Sequence, residues 1–586
     1  VSTIVEELRK LAREQPDALG YSYLADGERE AERLTYAELD AQATEAARAL
    51  AGVGEVGDRV LLVFAPGLSF MVGFFACLYA GRVAVPVPLP RRRDVSAEPT
   101  GLERIAGDCG ARLALSVTAT ARPLQESFAS SPRGPPPFEW AQLSELRGAA
   151  SAKLPQIAPG QLAYLQYTSG TTSQPRGVRV SHRQLLAAMD YVRTALHMTA
   201  KTRVVTWLPH YHDMGLASLL SALTGGFPCQ VMAPAAFVAR PQRWLEAITH
   251  FEGTISGAPN FAYELCARHA AGDAAKFRLQ QWECAFCGAE PVRIETLERF
   301  ARAFAPSGFK PEHFSPCYGL AEATVQVTGG PVGVMPRRRH FAIANGKSTE
   351  AISVGRVWQQ TSVVIVDPHT QRLKPEGEVG EIWVRGPQVS DGYFGSPEAS
   401  AQEFAGRIGS EASAPSHLRT GDLGAMVEGH LYVLGRIKDI VILNGVNHSV
   451  EPIEHVVASL PGVAVGGVCA VGLDLDGAER LVMFVEKERR KGERRARHKA
   501  SGGVDDRRRA ERREDPWPPA SPRPDPDHLG LSDAVRDAVF AAHQLTVHRV
   551  VILPAGELPR STSGKVRRRQ ARALYLEGRL TLLHEG

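Results

Sequence analysis

The stretch Tyr164-Leu165-Gln166-Tyr167-Thr168-Ser169-Gly170-Thr171-Thr172-Ser173-Gln174-Pro175-Arg176-Gly177-Val178-Arg179-Val180-Ser181-His182 decides how this chain reads. A β-like run ends at Thr168 and passes into a loop of hydroxyls and glycines. Beyond Arg176 a second short strand leads to Ser181, which caps a helix with Gln184 three residues on. Hydroxyls and backbone N–H groups on a glycine-permitted turn form a cradle for phosphate. Thr168, Ser169, Gly170, Thr171 and Thr172 are therefore candidate phosphate contacts. The loop does not match G-x-x-x-x-G-K-[ST], which excludes a P-loop NTPase site. Taken alone, such a loop is usually only a turn, and its meaning depends on the rest of the chain.

Working outward, short apolar runs at 60–64, 83–87, 113–117, 162–167, 204–208 and 229–232 are mostly separated by helical segments. One helix is opened by the capping box Thr35-x-x-Glu38 and runs to about residue 50. This alternation predicts an α/β fold of largely parallel sheets covered by helices. From about residue 354 the texture changes to short strands between Gly/Pro/Asp turns, which predicts a small, more antiparallel β subdomain over about 354–434. The expected organisation is a large N-terminal domain over 1–434 and a small α+β C-terminal domain over 435–586.

Composition limits the function classes. Of 586 residues, 44% are hydrophobic and 23% charged, an ordinary globular balance. The net charge of +4 is unevenly spread, because residues 487–527 hold 14 Lys/Arg against 9 Asp/Glu. The remainder is close to neutral, which argues against a nucleic-acid-binding body. The same segment is proline-rich in its second half, so it is expected to be a solvated, flexible insertion. Residues 60–81 carry no charge, long enough to span a bilayer, but Pro66, Gly67 and Ser69 split them into a buried strand and a buried helix. No transmembrane segment is expected. No signal-peptide pattern opens the chain, and eight irregularly spaced cysteines suit reduced core thiols, so the expected location is cytoplasmic. Cys284 and Cys287 spell C-x-x-C without a second pair, which favours core packing over a zinc or redox site.

Six further motifs follow the loop in order: Leu208-Pro209-His210-Tyr211-His212-Asp213-Met214-Gly215, Cys287-Gly288-Ala289-Glu290-Pro291, Tyr318-Gly319-Leu320-Ala321-Glu322-Ala323-Thr324, Arg419-Thr420-Gly421-Asp422, Gly435-Arg436-Ile437-Lys438-Asp439 and Ser563-Gly564-Lys565. As a set, and over nearly the whole chain, they resemble the adenylate-forming superfamily of acyl-CoA synthetases, peptide-synthetase adenylation domains and luciferases. Within it the chain looks most like the fatty acyl-AMP ligases that load polyketide and peptide synthases.

The resemblance implies a reaction and a set of roles. A fatty acid carboxylate attacks the α-phosphorus of ATP, pyrophosphate leaves, and the acyl group then passes to the phosphopantetheine thiol of an acyl carrier protein. Lys565 is the candidate to meet both carboxylate and α-phosphate, and Glu322 the candidate Mg²⁺ anchor, a hard oxygen ligand. His212 would lie near the phosphates or the carboxylate. The resemblance also implies that Tyr318 stacks on adenine, with Gly319 beside it and the backbone of Gly288, Ala289 and Glu290 close by. Thr324 would offer its hydroxyl to the α-phosphate, Asp422 would accept both ribose hydroxyls, and Arg436 would make a second ribose or phosphate contact. Lys438 corresponds to the hinge on which the C-terminal domain is mobile. Arg176 stands where many relatives have lysine, and an arginine keeps the charge without being equivalent.

Three expectations are more local. Trp207, Leu216, Phe227, Phe261 and Tyr263 either line an acyl tunnel or are ordinary core. The triplet Arg337-Arg338-Arg339 is expected to pair with acidic residues of the other domain. The run Arg567-Arg568-Arg569 is expected to guide an acidic carrier protein. The alternatives are an acyl-CoA synthetase and, from another class, a non-catalytic nucleotide-binding scaffold; an amino-acid adenylation domain is disfavoured, because that class usually places an aspartate in its substrate pocket and this chain has no clear equivalent near 207–215. Retention of Glu322, Asp422, Arg436 and Lys565 together argues against the scaffold.

Overall fold

The charge-free run is divided as its proline and glycine predict, into strand Arg59–Leu62 and helix Ser69–Tyr79. Every residue from Phe70 to Tyr79 is buried, in a core that draws side chains from two different sheets. A helix apolar on every side is one covered on every side. Each large apolar side chain so buried contributes roughly 1.5–3 kcal/mol. In the computed structural model, which describes residues 2–90, 100–131, 134–146, 153–168, 175–342, 348–409, 415–443, 446–475, 478–488, 526–560 and 565–586, no helix is long and apolar enough to cross a membrane.

The chain forms two compact units, Val1–Ile437 and Lys438–Gly586. Among the described residues the first unit holds three sheets. One has strands in the order Glu139–Gln142, Leu113–Ser116, Arg59–Leu62, Val83–Pro86, Leu162–Thr168, Arg176–Ser181, all parallel except the last pair. The second runs Phe314–Pro316, Cys284–Cys287, Ile255–Ala258, Val204–Thr206, Cys229–Met232, Leu19–Leu24, Glu30–Thr35, again parallel but for one edge pair. Both capping boxes read from the sequence are formed, at Thr35 and at Ser181. The expected α/β class is the observed one.

The third sheet is antiparallel, in the order Arg338–Ala342, Ser348–Arg356, His430–Arg436, Leu418–Val427, Gly380–Arg385, Ser362–Val366. It begins earlier than residue 354, because the hairpin Arg338–Ala342/Ser348–Arg356 joins its edge. That edge is rich in charged and polar residues and mostly exposed in its first strand, so it carries no apolar alternation to read. The sheet also carries its last strand past residue 434. Asp422 pairs with Arg436, and this pairing keeps Gly435 and Arg436 in the first unit.

In the second unit a hairpin, Ile440–Leu443 with Val446–Ser449, is followed by helix Val450–Ala458. A four-stranded sheet then runs Val463–Leu475, Ala478–Lys487, Arg549–Leu553, His584–Glu585, with helices Pro526–His543 and Arg568–Leu576. The insertion expected at 487–527 falls almost wholly outside the described residues; Lys487 ends a strand and Pro526 begins a helix. All eight cysteines are free, Cys284 and Cys287 are buried, and among the described residues no group of three or more His, Cys, Asp or Glu forms a metal site.

Two basic runs are placed differently from expectation. Arg337 and Arg339 both pair with Glu428 (2.6 and 3.3 Å), and Arg338 pairs with Glu298, all inside the first unit. The hairpin Arg338–Ala342/Ser348–Arg356 pairs with the strand His430–Arg436, which sets these arginines beside acids of their own unit. Arg568 is turned inward, its guanidinium on Asp439 (2.6 Å) and Glu454 (2.7 Å). Helical periodicity separates it from exposed Arg567 and Arg569, so the triplet is not one surface patch.

Candidate active site

Strands Leu162–Thr168 and Arg176–Ser181 bring Thr168 opposite Arg176 and so bracket the hydroxyl-rich loop. Thr168 ends the first strand; Ser169, Gly170, Thr171 and Thr172 lie outside the described residues. Gln166 donates from Nε2 to the Tyr211 carbonyl at 3.0 Å, which ties the strand below the loop to the His-rich turn.

That turn leads to helix Asp213–Gly225, and His212 is its N-cap. The His212 Nδ1 lies 2.6 Å from Asp213 Oδ1, so this side of the ring is committed locally. Its neighbour His210 is a core residue, its ring 4.2 Å from that of Phe70, and burial pushes its pKa down to about 4.

The motif from Tyr318 to Thr324 folds back closely on itself. A Cβ on Gly319 would lie 1.7 Å from the Val325 carbonyl oxygen, so only glycine fits there. A 3₁₀ turn, Ala321–Ala323, carries Glu322, and Thr324 follows at φ +66°, a conformation that threonine seldom adopts. Backbone held this way is found at functional sites. The Thr324 hydroxyl donates to the Gln388 carbonyl at 2.6 Å and is buried, so its proton serves the fold rather than an open phosphate site.

Tyr318 and Arg436 meet on Asp422. The phenol donates to Oδ2 at 2.6 Å and the Arg436 Nε lies 2.8 Å from Oδ1. Asp422 is only 4% exposed, so both oxygens of a buried carboxylate are engaged at once. The strand register makes this possible, because Asp422 and Arg436 are direct partners across two antiparallel strands. Burial and the Asp422 charge hold the Tyr318 phenol far above its ordinary pKa, so it stays a donor.

The Gly288 motif leaves strand Cys284–Cys287 beside Cys317. A Cβ on Gly288 would come within 2.8 Å of the Cys317 carbonyl oxygen, and Ala289 has φ +64°. Glu290 turns its carboxylate to the Phe261 amide at 2.6 Å, in the first turn of helix Asn260–His269. Its side chain caps a helix end, a structural use that the sequence reading did not foresee.

Glu322 is joined to two residues that sequence reasoning missed. The Tyr393 hydroxyl lies 2.8 Å from Glu322 Oε1 and 2.5 Å from Glu403 Oε2, while Arg176 binds the other Glu403 oxygen at 2.9 Å. Arg176 therefore answers a carboxylate across the site. Burial raises the Glu322 pKa; Tyr393 works against that shift, Glu403 adds to it, and the Arg436 charge opposes it. The last effect links Glu322 electrostatically to the Asp422 end of the site. Gly392 at φ +133° was a turn signal pointing to Tyr393, but nothing local marks Glu403, an ordinary helical residue of Pro397–Phe404.

Of the candidate acyl-tunnel residues, Tyr263 is core, fully buried among Trp244, Trp282 and Phe300. Leu216 is also core, whereas Phe261 is only partly buried and sets its edge against Trp207 at 6.2 Å. Lys565 is an exposed residue of the second unit, and Ser563 and Gly564 before it lie outside the described residues. Lys438 is the residue at which that unit begins.

The sequence profile of a family described as AMP-binding enzyme matches residues 8–394. A medium-chain-fatty-acid–[acyl-carrier-protein] ligase of Moorena producens is 34% identical, over 99% of this chain and 96% of its own. A long-chain-fatty-acid–AMP ligase of Mycolicibacterium smegmatis is 33% identical, over 99% and 95%. Among solved structures, a fatty acyl-adenylate ligase from L. pneumophila in complex with acyl adenylate and pyrophosphate aligns with TM-score 0.70 and 33% identity, over 100% of this chain and 97% of that one.

Proposed function

The chain belongs to the AMP-binding enzyme family, and on that premise we propose that it activates a fatty acid with ATP to acyl-adenylate and passes the acyl group to the thiol of a phosphopantetheinylated acyl carrier protein. In the first step a carboxylate oxygen bonds to the α-phosphorus, and the bond from that phosphorus to the bridging oxygen breaks, releasing pyrophosphate. In the second the thiol sulfur bonds to the acyl carbon, AMP leaves, and the thiol proton goes to solvent.

The observation that carries the reading is Asp422, a buried carboxylate whose two oxygens are already aligned by Tyr318 and Arg436. An ionised carboxylate with two directed acceptors suits the vicinal hydroxyls of ribose. Arg436 sits where it can turn from Asp422 to a phosphate, and Tyr318 offers a ring face for adenine. The backbone of Gly319, Gly288, Ala289 and Glu290 is assigned to the same adenine. Thr168 and the loop residues Ser169, Gly170, Thr171 and Thr172 are assigned to the phosphates, whereas the Thr324 amide and hydroxyl are already donated to Ala321 and Gln388 carbonyls. His212 is assigned to the phosphates or the carboxylate. Lys565 supplies positive charge where carboxylate and α-phosphate converge, an interaction strongest in the transition state.

A divalent cation fits Glu322. Among the described residues no cluster of three or more acidic, His or Cys groups surrounds it, and Mg²⁺ commonly binds through one or two carboxylates, waters and substrate phosphates. When bound, Mg²⁺ would neutralise phosphate charge; the protein's part is to aim the Glu322 oxygens. Eight free cysteines suit a reducing, cytoplasmic setting.

The test is pyrophosphate release with a panel of fatty acids, followed by mass spectrometry with CoA and with holo carrier protein. Acyl-AMP that accumulates with CoA and is consumed by the carrier is the expected result. Rapid formation of the CoA thioester would decide for an acyl-CoA synthetase, and no pyrophosphate with any acid would overturn the enzymatic reading.

A further inference from the structure

Tyr393 is fixed from several sides before any ligand arrives. Its backbone pairs with Val178, the flanking Gly392 carbonyl accepts from the Arg179 amide, and the Phe394 amide donates to Gly177. Its own amide donates to Ser400 Oγ at 2.8 Å, and its ring meets Phe404 edge-on at 5.3 Å. The side chain is 5% exposed, and the Arg176 guanidinium lies 5.3 Å from the ring centroid. The remaining freedom of the side chain is rotation of its O–H bond.

That single proton faces two carboxylate oxygens, Glu322 Oε1 at 2.8 Å and Glu403 Oε2 at 2.5 Å. A phenol has one proton to donate, so the two glutamates share it. Glu403 has a second partner in Arg176, whose Nη1 lies 2.9 Å from Oε1, which holds its carboxylate in place. The result is a rigid line, Arg176 to Glu403 to Tyr393 to Glu322, from the stem of the hydroxyl-rich loop to the acid assigned to the cation.

We infer that Tyr393 is a positioning residue that holds the Glu322 carboxylate in register for a phosphate-bound divalent cation, with Glu403 and Arg176 as its anchor. This rests on the anchor role proposed above for Glu322. Without the hydroxyl, Glu322 loses the contact that fixes its Oε1 and must be ordered by the incoming cation. A cation held through the other Glu322 oxygen would leave the phenol's bond to Oε1 in place. No covalent bond changes. Direct use of Tyr393 on substrate is not needed.

The experiment uses the full chain, with Mn²⁺ as the probe, followed by its electron paramagnetic resonance signal in the presence of ATP and absence of fatty acid. Tyr393→Phe keeps the ring and its packing and removes only the hydroxyl. The expected result is Mn²⁺ binding weakened roughly tenfold, the fold-change that one hydrogen bond to a charged group carries, while ATP binding without metal and the melting temperature stay near those of the unaltered protein. Glu322→Gln is the reference and should weaken Mn²⁺ binding at least as much. Weakening in Glu322→Gln but not in Tyr393→Phe overturns this inference and leaves the anchor standing. Unchanged binding in both variants overturns the anchor with it, and the pyrophosphate assay then tells whether adenylation itself survives.

Discussion

Arg568 Nη1 lies 2.6 Å from Asp439 Oδ2, so the last helix of the chain is tied to the residue directly after Lys438. Two further bonds, from Nε and Nη2 to Glu454 at 3.0 and 2.7 Å, complete a partly buried three-residue ion cluster. On the other side of Lys438, the Ile437 amide donates to the Gly421 carbonyl at 2.9 Å. Lys438 is thus flanked on both sides by residues held in hydrogen bonds. The helix pinned by Arg568 starts three residues after Lys565, so the same cluster sets the base of the lysine's loop.

Removing Arg568 should therefore destabilise the second unit. Burial alone would discourage the charge, but Glu454 and Asp439 outweigh it and hold the guanidinium ionised. Arg568→Ala leaves two acids without their counter-charge, a loss of about 1.5–3 kcal/mol for hydrogen bonds between charged groups. Arg568→Lys, with one charge but no fork, should recover part of it. Urea unfolding of the full chain, followed by hydrogen exchange in residues 463–487, checks this; an unchanged midpoint would contradict the cluster's role.

Lys565→Ala should abolish most acyl-AMP formation while leaving ATP binding nearly intact, because its charge matters most in the transition state. Burst measurements of pyrophosphate release and ATP binding by calorimetry separate the two. Equal losses in binding and rate would make Lys565 a ground-state contact instead.

Asp422→Asn keeps the shape but offers one acceptor oxygen and no charge to Tyr318, Arg436 and ribose. The KM for ATP should rise roughly tenfold to a hundredfold, in line with hydrogen bonds to charged groups. A 2′-deoxy nucleotide should lose less in this variant than in the unaltered protein. An equal loss in both would remove ribose from Asp422.

Acid should weaken the first unit through two histidines. Burial lowers both His182 and His210 to about 4, against an ordinary value of 6.5. Between those values the unfolded chain binds protons that the folded chain refuses, so stability falls as pH falls. The loss begins near the unfolded value, steepens to as much as about 1.4 kcal/mol per pH unit for each histidine, and levels off below the folded value. Calorimetry at steps from pH 7.5 to 4.5 should show the midpoint dropping, and His182→Gln should flatten part of the slope. A slope unchanged by that substitution would assign the acid sensitivity to other groups.

The α/β body was legible because its signals are local. Strand 162–168, the caps at Thr35 and Ser181, and the split of residues 60–81 each follow from periodicity, capping chemistry or a proline. The edge hairpin at 338–356 was not legible, since its charged first strand carries no alternation. The ordered motifs assign Tyr318, Glu322, Asp422 and Arg436 to one reaction through the resemblance alone, and the structure brings Tyr318, Asp422 and Arg436 together.

Their partners belong to tertiary structure alone. Glu403 reaches Arg176 across 227 positions and Arg568 reaches Asp439 across 129, distances over which no local pattern extends. A side chain's partner depends on which strand is its neighbour and in what register, and that depends on the packing of every element between them. The residue types in this sequence determined the chemistry available to the site. The fold decided that Arg176 faces a carboxylate, that Arg568 points inward, and that one tyrosine proton stands between two glutamates.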